Sequence, residues 1–217
     1  MSGPDWLQAR EKYRREARHY DRRFSGFVKR YRERAIGRLQ LRPGDSVLDV
    51  ACGTGINFPL LLKVVGPQGS VCGIDLSPEM LAVARERRDA AGWENVGLIE
   101  ATVEEADIDG LWDAALFSLT HDVLQSQAAI DNVIGQLRPG GRIASFGGKR
   151  APRWMLPVNA AVRLISGRYV TTFEGFDRPW HRLANAVGDV RVESVALGGA
   201  YIAWGTTPAS CSAGCSG

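Results

Sequence analysis

An aspartate and two glycines stand close together in the stretch VLDVACGTGINF, which runs from Val47 to Phe58. Gly53 and Gly55 lack a Cβ, so the backbone between them can turn sharply and lie close to a ligand. Asp75 follows 20 residues after Gly55, at the end of the apolar run SVCGID. A carboxylate there can accept hydrogen bonds from both hydroxyls of an adenosine ribose, so the spacing predicts a nucleoside-containing ligand.

Short apolar runs that alternate with helical patterns must position these residues. We expect strands at Ser46–Val50, Ser70–Ile74, Val96–Glu100, Ala114–Ser118 and Gly141–Phe146. We expect helices at Ile56–Val64, Pro78–Ala91 and Gln127–Leu137, the second with a Ser-Pro start that is typical of helices. The alternation predicts a parallel sheet with helices on both faces, and ligands of such sheets bind beyond the carboxyl ends of the strands.

The two ends of the chain depart from this alternation. In residues 1–42, apolar side chains recur at steps of three or four, which predicts a helical lid or cap. Near the C-terminus, VRVESVAL and AYIAWGTT flank Gly198 and Gly199, which predicts a β-hairpin and therefore an antiparallel last strand. We expect a lid at 1–42, a ligand-binding domain at 43–206 and a flexible tail at 207–217.

Two ligand classes use a glycine turn of this kind. A dinucleotide site needs a third small residue in G-x-G-x-x-G, where the helix packs closely on a strand. Phe58 occupies that position here. S-adenosylmethionine has no pyrophosphate to seat, and Asp49 would help to hold its cationic amino end, directly or through water. The residues therefore favour S-adenosylmethionine.

These residues together resemble the class I S-adenosylmethionine-dependent methyltransferases of the small-molecule type. VLDVACGTG is similar to the first motif of that family, GIDLSPEML to the acidic end of its second strand, and LRPGGRI to the turn into its fifth strand. KYRREARHYD is similar to the Tyr-rich lid helix of many members. The resemblance covers roughly residues 10–206. It implies an α/β fold with a Rossmann-like, doubly wound, seven-stranded sheet, mostly parallel with an antiparallel C-terminal strand, plus an N-terminal helical cap.

The resemblance also implies cofactor-binding roles. The backbone at Ala51, Gly53 and Gly55 would cradle the methionine part above Asp49, and Asp75 would take the ribose hydroxyls. The other implied contacts are Leu76 on the adenine, Thr102 and Val103 after the third strand, Ser118 near the methionine carboxylate or methyl, and Tyr13 and Tyr20 in the lid.

Thr102 departs from the family pattern, because many members carry an acidic residue there that reads the adenine amino group. A backbone N–H or Glu104 would have to substitute for it.

Methyl transfer mainly requires that the acceptor be aligned with the methyl group, and a base is needed only where the acceptor loses a proton. His121 follows the fourth strand at the cofactor edge, and the ordinary pKa of histidine suits proton transfer near neutrality. We therefore predict His121 as the catalytic residue, ahead of His19 and His181. The alternative interpretation is that His121 only shapes the pocket or hydrogen-bonds to the backbone.

The segment from Gly147 to Leu183 is predicted to form the acceptor pocket, because insertions at this point of the fold commonly do so. It carries an aromatic set beside Lys149, Arg150 and Arg153. An aromatic wall with a basic rim suits an aromatic, anionic or lipid-like small molecule methylated at O, N or C. The predicted substrate-pocket residues are Trp154, Tyr169, Phe173, Phe176 and Trp180.

Charge leaves other functions open. Residues 1–42 carry 13 Lys and Arg against 5 Asp and Glu, so a basic surface for RNA or transient contact with a membrane is conceivable. No NPPY-type motif follows the fourth strand, where the sequence reads SLTH, so a small-molecule acceptor is favoured over nucleic acid. The same cofactor would also serve an aminocarboxypropyl transferase, and a non-catalytic cofactor-binding subunit is a third possibility. The pattern does not specify an oligomeric state.

The composition of the chain bears on its core, its localisation and its capacity to bind a metal. The 217 residues are 45% hydrophobic, enough for a substantial core, and the N-terminus has no apolar signal-peptide core, which predicts a cytoplasmic protein. Cys211 and Cys215 alone supply two ligands where a structural zinc site needs four, so we predict no metal.

Overall fold

The computed structural model describes residues 28–167, 170 and 172–209. The strands are β1 Ser46–Val50, β2 Ser70–Asp75, β3 Val96–Glu100, β4 Trp112–Ser118, β5 Leu137–Gly148, β6 Arg191–Val195 and β7 Ala200–Thr206. The helices are α1 Lys29–Arg38, α2 Phe58–Val65, α3 Pro78–Ala91, α4 His121–Leu124, α5 Gln127–Gly135, α6 Leu156–Ser166 and α7 His181–Val187. No helix in these ranges is long and apolar enough to cross a membrane. The predicted positions Tyr13, Tyr20, Tyr169, His19, Cys211 and Cys215 lie outside the described residues.

The seven strands form one sheet in the order β3-β2-β1-β4-β5-β7-β6. β7 pairs antiparallel with both β5 and β6, while the pairs from β3 to β5 are parallel. The predicted fold class is therefore confirmed. The chain reverses its direction of progress across the sheet between β1 and β4, and in doubly wound sheets the crevice at that point is where ligands bind.

Apolar side chains cover both faces of the sheet. One buried cluster joins α1, α2 and α3 to the sheet and includes Tyr31, Phe58 and Leu81. The other lies under α5 and α7 and includes Ile130 and Leu183. The central strands β1, β2 and β4 are mostly apolar and buried, as expected for strands that are covered on both faces, whereas the edge strands β3 and β6 are more exposed.

Helix α1 is fixed to the sheet by part of the basic charge that the sequence shows. Arg34 and Arg38 both form ion pairs with Glu193 of β6, with N–O distances of 2.7 and 2.9 Å. The Arg38 guanidinium also lies 4.2 Å from the centre of the Trp204 ring. These two arginines are thus engaged within the protein, which weakens the argument for α1 as an RNA-binding surface. The predicted division at residue 42 stays a prediction.

Several boundaries differ from the sequence prediction: α2 begins at Phe58 rather than at Ile56, β4 begins at Trp112 rather than at Ala114, and α5 ends at Gly135 rather than at Leu137. β5 begins at Leu137 rather than at Gly141, because LRPG pairs at its start with Trp112 of β4. The C-terminal hairpin turns through a short 3₁₀ segment, Ala196–Gly198, rather than through the glycine pair alone. The helix start at Ser77 is as predicted, since its Oγ accepts a hydrogen bond from Met80 N at 3.2 Å.

Candidate functional site

The backbone after β1 runs through a left-handed turn. Ala51, Gly53 and Gly55 have φ values of 51°, 56° and 68°. Such values suit glycine but strain alanine, and strained residues of this kind cluster at functional sites. Gly55 N donates a hydrogen bond to the Cys52 carbonyl at 3.0 Å, which closes the turn. Cys52 N donates to the Ile74 carbonyl of β2 at 2.9 Å, which attaches the turn to that strand.

Phe58 fills the space that a third glycine would leave open in a dinucleotide site. Its side chain is fully buried. A Cβ added to Gly55 would lie 2.4 Å from the Phe58 ring, and a Cβ added to Gly73 of β2 would lie 2.7 Å from it. The ring therefore packs where the first turn of α2 would otherwise approach β2, and the two glycines make room for it. This packing is the physical reason why the motif departs from G-x-G-x-x-G.

Gly53 faces open space, and a carboxylate borders it. A Cβ added to Gly53 would meet no described atom within 4 Å. Asp75 accepts hydrogen bonds from Gly53 N at 2.8 Å and Ser77 N at 2.9 Å. Burial raises the pKa of Asp75 to about 6. The backbone N–H groups of Ser77, Gly53 and Leu76 lower this pKa but only partly offset the effect of burial. The glycine turn and the acidic end of β2 are thus held in one site, as the spacing predicted.

Asp49 lies beneath the turn and is fully buried. Burial raises its pKa to about 7 and the Asp75 carboxylate adds to the rise, while the Asn57 amide and the Arg32 guanidinium lower it. Asn57 Nδ2 donates to both Asp49 oxygens, at 3.1 and 3.3 Å. Asn57 Oδ1 is buried and has no hydrogen-bond partner among the described residues. A buried carboxylate next to an unused acceptor is suited to a cationic group.

The other predicted cofactor contacts that the structure describes lie at the carboxyl ends of β2, β3 and β4. Leu76 is half-buried directly after β2, and Ser118 ends β4. Thr102 Oγ1 donates to Glu105 at 3.2 Å within the turn after β3. Val103 packs into the core, and its carbonyl accepts from Asn132 at 2.8 Å. The Val103 side chain therefore has little free surface for a ligand. The cofactor roles of these residues stay predictions.

His121 begins α4, and its imidazole is mostly buried. Nε2 lies 3.0 Å from the Glu174 carbonyl oxygen, and the ring centre is 4.8 Å from that of Phe176. A carbonyl oxygen only accepts, so Nε2 carries the proton in the neutral ring. Burial lowers the pKa of His121, although Asp122 and the Glu174 carbonyl act in the opposite sense. Nδ1 is buried and has no partner within the described ranges, so it is a free proton acceptor at neutral pH.

An apolar cavity of about 1020 Å³ opens at the carboxyl edge of β4 and β5. Tyr31 of α1 and Phe146 of β5 form part of it, with ring centres 6.0 Å apart. Leu119, directly after β4, lines it with a left-handed φ of 63°. The other apolar side chains that line it come mainly from α6 and the β6–β7 turn, and include Val158, Val162, Leu164, Ile165 and Leu197.

The predicted aromatic residues do not form one wall. Phe173 and Phe176 meet edge to face, with ring centres 5.1 Å apart, and line a smaller cavity of about 400 Å³. Trp180 packs instead on Tyr201, and Trp154 is 78% exposed. The reason is that the segment after β5 folds into α6 and a separate loop, which point these rings in different directions.

Three contributors to the site were not predicted from the sequence. Arg32 of α1 is only 5% exposed and acts on Asp49 across a large sequence separation. Leu119 lines the large apolar cavity, and Asn57 donates hydrogen bonds to Asp49. Asn57 could have been suspected from its place in the glycine motif, whereas Arg32 is one of many arginines in a basic segment and nothing local distinguishes it.

Comparison with known proteins agrees with this geometry. Residues 47–141 match a family model described as a methyltransferase domain. A demethylmenaquinone methyltransferase from Listeria welshimeri is 29% identical over 140 residues, which cover 63% of this chain and 59% of that protein. An uncharacterized 37.1 kDa protein in a transposon of Streptomyces fradiae is 39% identical over 123 residues, which cover 52% of this chain and 33% of that protein. The chain thus matches about a third to three-fifths of the length of these curated relatives.

Solved structures share the fold. The N-methyltransferase NodS from Bradyrhizobium japonicum, in complex with S-adenosyl-L-homocysteine, superposes with a TM-score of 0.66 at 18% identity. The match covers 92% of this chain and 98% of that one. An O-methyltransferase family protein from Burkholderia thailandensis gives a TM-score of 0.70 at 18% identity, over 89% of this chain and 60% of that one.

Proposed function

We propose that the chain is a class I S-adenosylmethionine-dependent methyltransferase that transfers a methyl group from S-adenosylmethionine to a small, apolar acceptor. The match of residues 47–141 to a methyltransferase domain supports this proposal. The observation that carries the proposal is the joint placement of Gly53 and Asp75. An open space in front of the Gly53 backbone is bordered by a carboxylate that the turn itself holds, with Gly53 N donating to Asp75 at 2.8 Å.

The residues fit the cofactor. Asp75 retains acceptor capacity for the ribose hydroxyls, because each of its oxygens accepts only one of the two described hydrogen bonds. Asp49 and the unused Asn57 Oδ1 offer negative charge and an acceptor to the ammonium group. The buried Arg32 guanidinium suits the carboxylate of the methionine part.

When bound, the cofactor supplies a methyl group on a positively charged sulfur, which leaves as a neutral thioether. The chain's own contribution is then to hold the acceptor in line with that group, and orientation of this kind accounts for much of the acceleration in such reactions. The apolar cavity beside Leu119 would hold the acceptor body. His121 remains the predicted base for a phenol or an ammonium acceptor, because its lowered pKa favours the neutral ring. Its Nδ1 is buried and His121 lines neither cavity, so this role requires that the imidazole become accessible to the acceptor.

Binding by matched carboxylate variants tests the proposal. Asp75→Ala should weaken S-adenosylhomocysteine binding by about 10- to 150-fold, the equivalent of roughly 1.5–3 kcal/mol for hydrogen bonds to a charged group. Glu100→Ala is the control, because Glu100 is in register with Asp75 on β3 but is exposed and pairs with Arg85 at 3.2 Å. Equal binding by Asp75→Ala and the wild type, both confirmed as folded by circular dichroism, would remove Asp75 from the site.

The reaction itself is tested by its product. Turnover with apolar phenols, quinols and amines should release S-adenosylhomocysteine. Release of methylthioadenosine would instead identify the aminocarboxypropyl transferase, which uses the same cofactor but a different carbon.

A further inference from the structure

The solvent-facing side of α6 is apolar. Leu156, Ala160 and Leu164 follow one another at intervals of four residues, and Pro157, Ala161 and Ile165 lie one residue further on, so the six form one continuous face. We call these six residues the outer face of α6. All six are exposed, and Leu156 and Leu164 are each 71% exposed. A helix on the surface of a globular protein normally presents charged and polar residues to water.

The surroundings of the outer face add to the exposed apolar area. Trp154 lies two residues before the helix and is exposed, and Leu197 in the β6–β7 turn is 77% exposed. Leu164, Ile165 and Leu197 also line the large apolar cavity. The mouth of the cavity therefore lies among the exposed apolar side chains. Patches of this kind mark a surface that is covered in function.

A basic rim borders the patch. Arg153 and Arg163 line the smaller cavity beside α6, and Arg30 lines the larger one. Among the described residues, no carboxylate lies within ion-pairing distance of Arg153 or Arg163, whereas the neighbouring Arg150 pairs with Asp177 at 3.1 Å. Apolar residues with tryptophan on one surface and arginines at its margin are typical of helices that lie in the interface of an anionic bilayer.

We propose that the outer face of α6 binds the surface of an anionic lipid bilayer. The apolar side chains enter the boundary between headgroups and acyl chains, and Arg153 and Arg163 contact the lipid phosphates. The mouth of the acceptor cavity then faces the bilayer, so an apolar acceptor can enter without crossing water. The docking itself is independent of the proposed methyl transfer and is measured without cofactor.

The test is sedimentation of the full chain with phosphatidylcholine vesicles prepared with and without phosphatidylglycerol. The wild type should bind the anionic vesicles, and Leu164→Glu should weaken this binding about tenfold or more, since it places a charge in the buried face. Leu111→Glu is the matched control, because Leu111 is also an exposed leucine, at 53%. It lies before β4, at the amino ends of the strands, whereas the cavity beside α6 opens at their carboxyl ends. Arg163→Gln should weaken binding about fivefold, the effect of one basic residue at an anionic surface.

Three results would overturn the proposal. The first is failure of the wild type to bind anionic vesicles. The second is equal binding by Leu164→Glu and the wild type, or an equal loss in Leu111→Glu. The third is a wild-type dimer in lipid-free solution that becomes a monomer in Leu164→Glu, because the outer face of α6 would then be covered by a second copy of the chain. Unfolding curves of Leu164→Glu and Leu111→Glu identify any loss of vesicle binding that comes from misfolding.

Discussion

Alanine substitutions at the two glycines of the turn should separate stability from cofactor binding. Gly53 and Gly55 both have left-handed φ values, of 56° and 68°, so alanine at either position costs about 1 kcal/mol of backbone strain. Their surroundings differ. A Cβ at Gly55 would lie 2.4 Å from the rigid, buried Phe58 ring, whereas a Cβ at Gly53 would meet no described atom within 4 Å.

The expected magnitudes follow from this difference. Overpacking of a core residue adds roughly 1–3 kcal/mol, so Gly55→Ala should lower the free energy of unfolding by about 2–4 kcal/mol in total. Gly53→Ala should lower it by only about 1 kcal/mol. The methyl group at Gly53 would instead enter the space that we assign to the cofactor. Gly53→Ala should therefore weaken S-adenosylhomocysteine binding at least about tenfold, the equivalent of 1.4 kcal/mol.

The assays are urea unfolding for stability and isothermal titration calorimetry for binding, on both variants and the wild type. Near-normal binding by a folded Gly53→Ala protein would refute the assignment of the open space to the cofactor. Equal destabilisation by the two variants would refute the assignment of the Phe58 contact as the reason for Gly55.

Two further predictions concern ionisable groups. Burial raises the folded-state pKa of Asp49 from 3.8 to about 7, so the folded protein keeps a proton that the unfolded chain loses, and the free energy of unfolding should fall as pH rises from about 4 to 7. Asp49→Asn should flatten that slope and raise the free energy of unfolding at pH 8 by roughly 1–3 kcal/mol, measured by urea unfolding at pH 5 and 8. It should also reduce a roughly tenfold gain in the wild type's cofactor affinity between pH 6 and 8, with the remaining gain coming from Asp75, whose pKa is about 6. An unchanged slope would contradict the buried carboxylate. For an acceptor that must lose a proton, His121→Ala should lower kcat about 10²- to 10⁴-fold and leave S-adenosylhomocysteine binding intact, with His181→Ala as the control. Full turnover by His121→Ala would exclude His121 as the base.

The parts of the site that could be predicted from the sequence are those fixed by local pattern. The glycine turn, Asp49 and Asp75 lie at or next to the carboxyl ends of adjacent parallel strands, and the alternation of strands and helices predicts such a parallel sheet. Phe58 breaks the dinucleotide motif in the sequence, and in the structure its ring occupies the space between Gly55 and Gly73.

The cavity that we propose for the acceptor could not be predicted in the same way. Its cavity is built from Tyr31, Leu119, α6 and the β6–β7 turn, which are distant in sequence and meet only through the packing of α1 and α6 at one edge of the sheet. Composition drew attention to the aromatic residues between β5 and α7. However, whether an aromatic side chain faces a cavity, the core or solvent depends on the orientation of its element, and Phe176, Trp180 and Trp154 differ in this respect.

The most direct test of the central claim is calorimetric titration of the wild-type chain with S-adenosylhomocysteine and, separately, with NADH. We predict binding of S-adenosylhomocysteine with one site per chain and no binding of NADH, because the Phe58 ring fills the space that close packing for a pyrophosphate requires. Binding of NADH without S-adenosylhomocysteine, or binding of neither by folded protein, would contradict the account.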